Sequence, residues 1–598
     1  MQDLIIERIM TLSIIMVLIL LLTGCIREKP VKHDSINIFT DVYTDKSRYA
    51  PSEVISVYVD LHNNTDQIQT GYVNIRLKYL GYTIYLSENQ EVSLDVKEKT
   101  QLKFTFTAPS PDFTGYVLEA NFLKDETIVD ERTSAIDVSS DWSKFPRYGY
   151  LVSYGSKPLT MIESTLDELT KYHINGLQFY DWQWKHHMPL PIKDGKPLEK
   201  WQELSNRDVY LSTVQGYIDE AHNRNIMAMN YNLLFGTYDN PEADGVNLDW
   251  GLYVDAEGKN IDYHGLPSNW QTSRLLIMNP ANKDWQNYIF AQEAQAINTL
   301  NFDGWHVDQL GYRGVRYDKH GNVIDMEAGY VDLLINAKNT LNTRLVFNAV
   351  DGFGQSRVAK EVPVDFLYQE VWTPKRYYEL KQIIDKGFAD TNYQKSTVLA
   401  AYMNYGKRDK MGLFNKHAVL LTNATIFASG GAHLELGDTG MLSSEYFPSN
   451  NLKMSLDLKT SLRNYYDFLV AYQNFLRDNA RPSNIRVELA GVKTSILGQK
   501  DTVWYFSKTK DNYQIVHLIN ILGNDDDWRD DEADKKAPTI LENVEVKLYI
   551  DDNVKKLYLA SPDNKTITPI ELKFTQNGSF ISFLLPRLEY WSMLVIEK

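Results

Sequence analysis

From Tyr148 to about Leu476 the chain alternates strand and helix signals eight times, and this alternation restricts the possible folds more than any other feature. YGYLVSY precedes the helix-patterned stretch Leu159 to Tyr172, and INGLQFYD leads, after a long loop, to Val209 to His222. IMAMNYNLL runs into a loop containing Asn240-Pro241 before Asp284 to Leu300, where Trp285, Tyr288, Ile289, Ala296 and Leu300 share one side. NFDGWHVDQLG (Asn301 to Gly311) precedes a helix near Tyr330 to Leu341, and RLVFNAV follows. DFLYQEVW precedes Tyr377 to Asp385, and STVLAAYMN precedes Gly412 to Thr422. ATIFASG reads as an eighth strand ahead of Asp457 to Leu476. Eight such units in about 330 residues predict a central (β/α)8 TIM barrel, here residues 142–481.

The flanks are strand-like. INIFTDVY, VISVYVDLHN, GYVNIRLKYL, QLKFTFTAP and GYVLEANFL, separated by Asn-Asn, Asp-Lys and proline breaks, predict an N-terminal immunoglobulin-like β-sandwich over 35–141. VELAGV, TVWYFSK, YQIVHLINI, VEVKLYI, KKLYLA and SFISFLLP predict a C-terminal β-sandwich over 482–598. Within it NDDDWRDDEADKK (Asn524 to Lys536) reads as a solvated acidic loop. A hard cation would be the other use of such a run, but EF-hand spacing is absent.

The single cysteine, Cys25, closes the stretch Leu22-Thr23-Gly24-Cys25, which follows Arg8 and the apolar run Ile9 to Leu22. That run is short for a membrane span and suits a signal-peptide core. Leu-Thr-Gly-Cys resembles the bacterial lipoprotein cleavage motif, so 1–25 reads as a signal peptide with Cys25 lipidated, and 26–34 as a tether. An uncleaved anchor is the alternative. On either reading the chain is held at a membrane of the bacterial cell envelope, faces outward, and forms no internal disulfide. A net charge of −16 argues against a nucleic-acid partner. A monomer is the simplest assembly.

Several predicted strand ends carry polar groups. They are Tyr180, Asp181 and Trp182 after strand two, Asn230 and Asn232 on strand three, and His306 and Asp308 on strand four. Asn348 and Asp351 follow strand five, Glu370 and Trp372 strand six, Tyr402 and Asn404 strand seven, and His433 and Glu435 strand eight. In a parallel barrel those ends line the active-site mouth. One such residue means little, since Asp308 alone reads more readily as a capping aspartate in a βα loop. Many carboxylates, amides and rings at one mouth suit a carbohydrate. Walker and dinucleotide loops, HExxH and G-x-S-x-G are missing, which disfavours phosphate, zinc and serine chemistry. Two acids at nearby strand ends suit glycosidic cleavage, one ionised and one protonated, about 5–5.5 Å apart in a retaining enzyme.

RYGYLVSYG (Arg147 to Gly155), HINGLQFYDWQWKHHMPL (His173 to Leu190), FDGWHVDQLG, DFLYQEVW and GGAHLELGD (Gly430 to Asp438) together resemble glycoside hydrolase family 66, the dextranases and cycloisomaltooligosaccharide glucanotransferases. The resemblance covers roughly residues 36–598. It implies Asp308 as nucleophile, Glu370 as acid/base and Asp181 as a third acid holding sugar hydroxyls. It also implies α-1,6-glucan (dextran) and isomaltooligosaccharides as partners, with no metal and no cofactor. Tyr180, Asp181, Trp182, Asn232, His306, Asn348, Trp372, Tyr402, Asn404, His433 and Glu435 are the expected substrate contacts. Trp182, Trp184 and Trp372 read equally as sugar platforms or barrel packing. Cyclising members of the family carry a carbohydrate-binding module inserted late in the barrel, and Asn404 to Ala424 is too short for one. Endo-hydrolysis is therefore favoured over cyclisation. A noncatalytic glucan-binding lipoprotein is the competing class, against which both acids count.

Overall fold

A computed structural model describes residues 36–445, 450–529 and 534–598. The expected signal peptide, Cys25 and the tether lie outside the described residues.

Eight short parallel strands form the centre: β1 (Tyr148–Leu151), β2 (Gly176–Phe179), β3 (Met227–Leu233), β4 (Gly304–Asp308), β5 (Arg344–Asn348), β6 (Leu367–Glu370), β7 (Thr397–Ala400) and β8 (Ala432–His433). Between and after them run α1 (Leu159–Lys171), α2 (Leu211–Asn223), α3 (Lys283–Leu300), α4 (Met326–Leu341), α5 (Gln355–Glu361), α6 (Tyr377–Asp390), α7 (Lys416–Ser429), α8 (Leu456–Ala471) and α9 (Gln473–Arg477). The strands belong to a curled ten-stranded sheet. At its edges, Val398 and Leu399 of β7 pair with Ala432 and His433, while Gly437 pairs with Tyr150 of β1. One run of chain thus bonds to both ends of the row of parallel strands.

Local chemistry sets the alternation. Asn282 and Asp325 cap α3 and α4 by accepting from Trp285 N and Ala328 N at 2.9 and 3.0 Å. Asn301 and Asn342 end the same helices at φ 63° and 48°, a left-handed turn that asparagine tolerates. Each returns the chain to a strand within three residues. Inward residues of alternate parity (Tyr148, Tyr150, Met229, Val346, Tyr368, Val398, Ala400, Ala432, Leu434) fill the interior. Trp142 packs among them, so close to Gly176 that a Cβ there would lie 2.1 Å from the indole.

Ala424 to Ser429, expected as the eighth strand, is the second half of α7. Every residue from Ala418 to Ser429 is buried, so the helix shows no polar stripe, and an apolar run of that kind has no readable period. Gly430 at φ 97° ends it, and β8 follows.

Residues 36–138 form two antiparallel sheets of three and five strands around one cluster that includes Val57, Val59, Ile75, Leu77 and Leu118. The C-terminal region forms sheets of seven and four strands around Val503, Val516, Val546, Phe583 and Leu594. Both regions dock through buried polar groups. Asp137, on the last N-terminal strand, accepts from Arg147 Nη2 and Gln473 Nε2, each at 2.8 Å. Burial opposes the charge on Asp137, but Arg147, Ser139 and Gln473 outweigh it and hold the carboxyl below its ordinary range. From the other side, Lys508 donates to Ala428 O and Leu476 O at 2.7 and 2.8 Å, a buried amine set on two helix C-terminal ends whose pKa burial pushes well down.

Replacing Asp137 with Ala would leave the buried Arg147 guanidinium without its carboxylate. The expected loss is about 3–5 kcal/mol of stability, measured by guanidinium unfolding followed by tryptophan fluorescence. An unchanged unfolding midpoint would mean that this pair does not hold the N-terminal sheets to the centre.

Candidate active site

Asp308 and Glu370 are the last residues of β4 and β6, with β5 between them. The residue that joins them is Asn348, the last of β5. Its Nδ2 donates to Asp308 Oδ1 at 2.8 Å and to Glu370 Oε2 at 3.2 Å. Its Oδ1 accepts from Glu370 N at 3.2 Å, which fixes which way the amide points. Bonds of 2.8 and 3.2 Å from one nitrogen put the two carboxylate oxygens at most 6.0 Å apart, the sum of the two.

Asp308 also accepts from Tyr231 Oη at 2.7 Å and from Gln309 N at 2.8 Å. Glu370 accepts from Tyr402 Oη at 2.7 Å. Burial pushes Glu370 up to about 7, the neighbouring Asp308 charge adds to this, and the Tyr402 and Asn348 bonds oppose it. Burial raises Asp308 as well, but its three donors pull back toward the ionised form. Two buried acids this close share a proton, and it rests on Glu370, which the Asp308 charge raises beyond the effect of burial. The phenols of Tyr231 and Tyr402 are held well above their ordinary range by burial and by those same carboxylates, so both remain donors.

A cavity of about 280 Å³ opens over this pair. It is lined by Asp308, Glu370, Asp181, Tyr180, Asn348, Trp372 and Tyr402 from the expected set. Asp181, just past β2 at φ 50°, is pushed up to about 7 by burial and by Glu203, with Arg207 opposing. Tyr180 stacks on Tyr231 at 4.5 Å.

Six expected contacts lie elsewhere, and the structure corrects them. His306 sits one inward layer below Asp308, stacked on Tyr148 at 5.7 Å and edge-on to Tyr368 at 4.7 Å, with Nδ1 3.1 Å from Tyr148 Oη. Burial lowers its pKa to about 3, so it is an uncharged packing group. Asn232 faces α3, where it binds Glu293 and accepts from Trp305 Nε1 at 2.6 Å. Trp182 is fully buried, donates to Asn230 Oδ1 at 2.8 Å and packs on Trp201 and Phe302. Asn404 is buried at φ 53° and ties its own loop by accepting from Asn415 N at 2.9 Å. His433 and Glu435 face the helices and meet Asn423, at 2.7 and 2.8 Å, because Ala432 and Leu434 take the inward parity.

Sequence reasoning missed Tyr231, His186, His264, Tyr368 and Glu445, all of which line the cavity. Tyr231 had a signal: it lies between the two asparagines that were chosen, on the opposite parity. His186 is lowered to about 3 by burial, and its Nδ1 accepts from Leu233 N at 3.1 Å, leaving the proton on Nε2.

A buried acid pair divided by one proton, at the ends of parallel strands, is the equipment of a glycoside hydrolase. The model of glycosyl hydrolase family 66 matches residues 44–595, and the chain belongs to that family. A cycloisomaltooligosaccharide glucanotransferase of Niallia circulans is 32% identical over 709 aligned positions, covering 93% of this chain and 71% of the relative. A dextranase of Streptococcus salivarius is 27% identical, over 81% of this chain and 68% of its own. Among solved structures, a Paenibacillus sp. cycloisomaltooligosaccharide glucanotransferase complexed with cycloisomaltoheptaose superposes with a TM-score of 0.88. It is 28% identical, over 94% of this chain and 99% of that one.

The free enzyme's kcat/KM should fall as pH rises through about 7, where Glu370 loses its proton. Tyr402→Phe removes a donor that favours the charged form, so this alkaline limb should move to higher pH. A pH profile of kcat/KM for both proteins checks it, and a limb that stays put contradicts the assigned role of Tyr402.

Proposed function

We propose that this chain is an endo-acting, retaining glycoside hydrolase that cleaves internal α-1,6-glucosidic linkages of dextran to isomaltooligosaccharides. The observation that carries the proposal is the shared Asn348 amide, whose one nitrogen bonds both carboxylates at 2.8 and 3.2 Å and so keeps those oxygens closer than the roughly 6.5–9.5 Å of an inverting pair. Asp308 attacks the anomeric carbon while Glu370 delivers its proton to the departing O6. Glu370, now ionised, takes a proton from water as the water oxygen displaces Asp308 from the glycosyl ester. Asp181 receives sugar hydroxyls beside the reacting ring. Tyr180 and Trp372 offer ring surface to the chain.

The curled sheet is read as a (β/α)8 barrel, and the flanking regions as an immunoglobulin-like sandwich and a C-terminal sandwich. Support for the barrel comes from the pairings of Ala432–Gly437 with both β7 and β1. A lipid anchor at Cys25 would hold the enzyme at the outer face of a bacterial membrane, and a monomer suffices for the site as described.

Intramolecular transfer, which makes cyclic products, is the second reading, and the glucanotransferase relatives favour it. Two observations weigh toward hydrolysis. Between β7 and β8 lie only residues 401–431, which hold a 3-10 turn (Tyr405–Lys407), the two-residue strand Gly412–Leu413 and α7. The alignment to the Niallia circulans relative spans 709 positions against a chain of 598 residues, so that relative carries stretches this chain lacks.

Protein from residue 26 onward should lower the viscosity of dextran well before reducing ends accumulate, with linear isomaltooligosaccharides on thin-layer plates. Unchanged viscosity would end the proposal, and cyclic early products would select the second reading. Asp308→Asn should lose at least roughly a thousandfold in kcat with its unfolding curve intact.

A further inference from the structure

Glu293 is a fully buried acid on α3, the helix that crosses from β3 to β4, and it lines no part of the catalytic cavity. Its two oxygens each take one amide of β3: Oε2 accepts from Asn230 Nδ2, and Oε1 from Asn232 Nδ2. Each asparagine oxygen in turn accepts from an indole, Asn230 Oδ1 from Trp182 Nε1 at 2.8 Å and Asn232 Oδ1 from Trp305 Nε1 at 2.6 Å. An indole nitrogen only donates, so both amides are oriented and both present Nδ2 to Glu293. Asn232 Nδ2 also donates to His186 O at 2.9 Å. The bond from Trp305, three residues before Asp308, ties the same point to β4.

The helix-facing side of a parallel strand is ordinarily apolar, because a helix covers it. β3 departs from this at two positions, and both lead to one carboxyl. Burial opposes that arrangement, pushing Glu293 up to about 8 against the two amide bonds. Apolar residues of the same size at all three places would pack without that cost. What the polar set does is felt on the other face of the strand. Tyr231 stands between the two asparagines and points the opposite way, where its Oη donates to Asp308 Oδ2 at 2.7 Å. Anchoring residues 230 and 232 to one carboxyl fixes the strand on both sides of Tyr231, and with it the aim of the phenol.

We propose that Glu293 is a positioning residue of the reaction: by gripping Asn230 and Asn232 it keeps the Tyr231 hydroxyl on Asp308. The inference rests on the assignment of Asp308 as nucleophile above. Glu293 takes no part in any bond change. The titratable groups around Asp308 are Tyr231 on β3, Glu370 and Tyr368 on β6, Asp181 after β2 and Tyr330 on α4. Of these, only Tyr231 lies on the strand that Glu293 holds.

The test is the pH profile of kcat/KM on dextran for the wild type, Tyr231→Phe, Glu293→Gln and the double variant, with thermal unfolding measured for each. Attack needs Asp308 ionised, so its pKa sets the acid limb, and losing a donor to the charged form raises that limb. Tyr231→Phe should move it up by about one pH unit, the worth of a hydrogen bond to a charged group. Glutamine keeps the size of Glu293 but has one accepting oxygen, so its NH2 meets one asparagine NH2 donor to donor. Glu293→Gln should therefore move the limb the same way, by no more than Tyr231→Phe does. In the double variant the limb should stay where Tyr231→Phe puts it. Adding Asn230→Asp to Glu293→Gln restores the lost bond with its direction reversed, and should return the limb to the wild-type position. A Glu293→Gln limb that stays put, whatever the unfolding temperature, overturns the proposal. So does a further rise in the double variant, or a Tyr231→Phe limb that does not move. If Glu293→Gln does not fold, Glu293→Asp, which keeps both oxygens on a shorter arm, is read by the same rule. A wild type without activity on dextran removes the reading of the acid pair itself, and this inference with it.

Discussion

One side-chain amide governs the charge state of the centre. Two buried carboxylates bonded to one nitrogen repel if both ionise, and neither is well solvated. Asn348 can donate to both but cannot satisfy both equally, and its bond to Asp308 is the shorter, 2.8 against 3.2 Å. Tyr231 and Gln309 N add to the Asp308 side, and the Asp308 charge in turn raises Glu370, which keeps the proton. The amide's own oxygen is committed to Glu370 N, which prevents a flip that would present a carbonyl to the carboxylates. Everything here depends on the register of β5. Phe347 pairs with Leu367 and Asn348 with Tyr368, so Asn348 ends its strand just where Glu370 begins to clear the sheet.

How much of this was legible follows from period and parity. Helix and strand alternation stands out because each helix buries a stripe and each strand is short and apolar, and the predicted helices over Leu159–Tyr172, Val209–His222 and Asp284–Leu300 lie within two residues of α1, α2 and α3. Asp308 and Glu370 were visible as acids closing apolar strands. What single-sequence reading could not decide was the face. Asn230 and Asn232 share one parity and Tyr231 the other, and a strand buried on both sides carries no polar and apolar alternation to tell inside from outside. The same ambiguity sent His433 and Glu435 to the wrong face. It also hid α7, whose surroundings are apolar throughout.

Depth was the other unreadable quantity. His306 and Asp308 do share a face, as period 2 requires, yet two residues along a strand is about 6.6 Å, enough to separate the cavity floor from the packed interior. There His306 stays neutral among Tyr148, Tyr231 and Tyr368. Trp182 met the same fate two residues beyond Tyr180: its ring turned outward, where Asn230 offered the indole a partner and left the sugar-facing position to Tyr180.

In the acidic run after Asn524, Asp525 and Asp534 are exposed as expected of a solvated loop, while other residues make contacts that composition did not show. Asp526 pairs with Arg376 at 2.6 Å, Trp528 is fully buried and donates to Pro374 O at 2.9 Å, and Arg529 donates to Trp372 O at 2.8 Å. The Arg529 guanidinium also lies over the Trp372 and Tyr405 rings at 5.9 and 5.5 Å. Asp526, Trp528 and Arg529 of this run thus have neighbours in space, on the loops after β6 and β7. Trp372 is therefore held from two directions, by Asp351 on its backbone nitrogen and by Arg529 on its carbonyl. Two residues from Glu370, it could not form a firm wall if either anchor were soft. The C-terminal region thus does more than cover the outside of the central sheet: it fixes one wall of the cavity in which the proton is held.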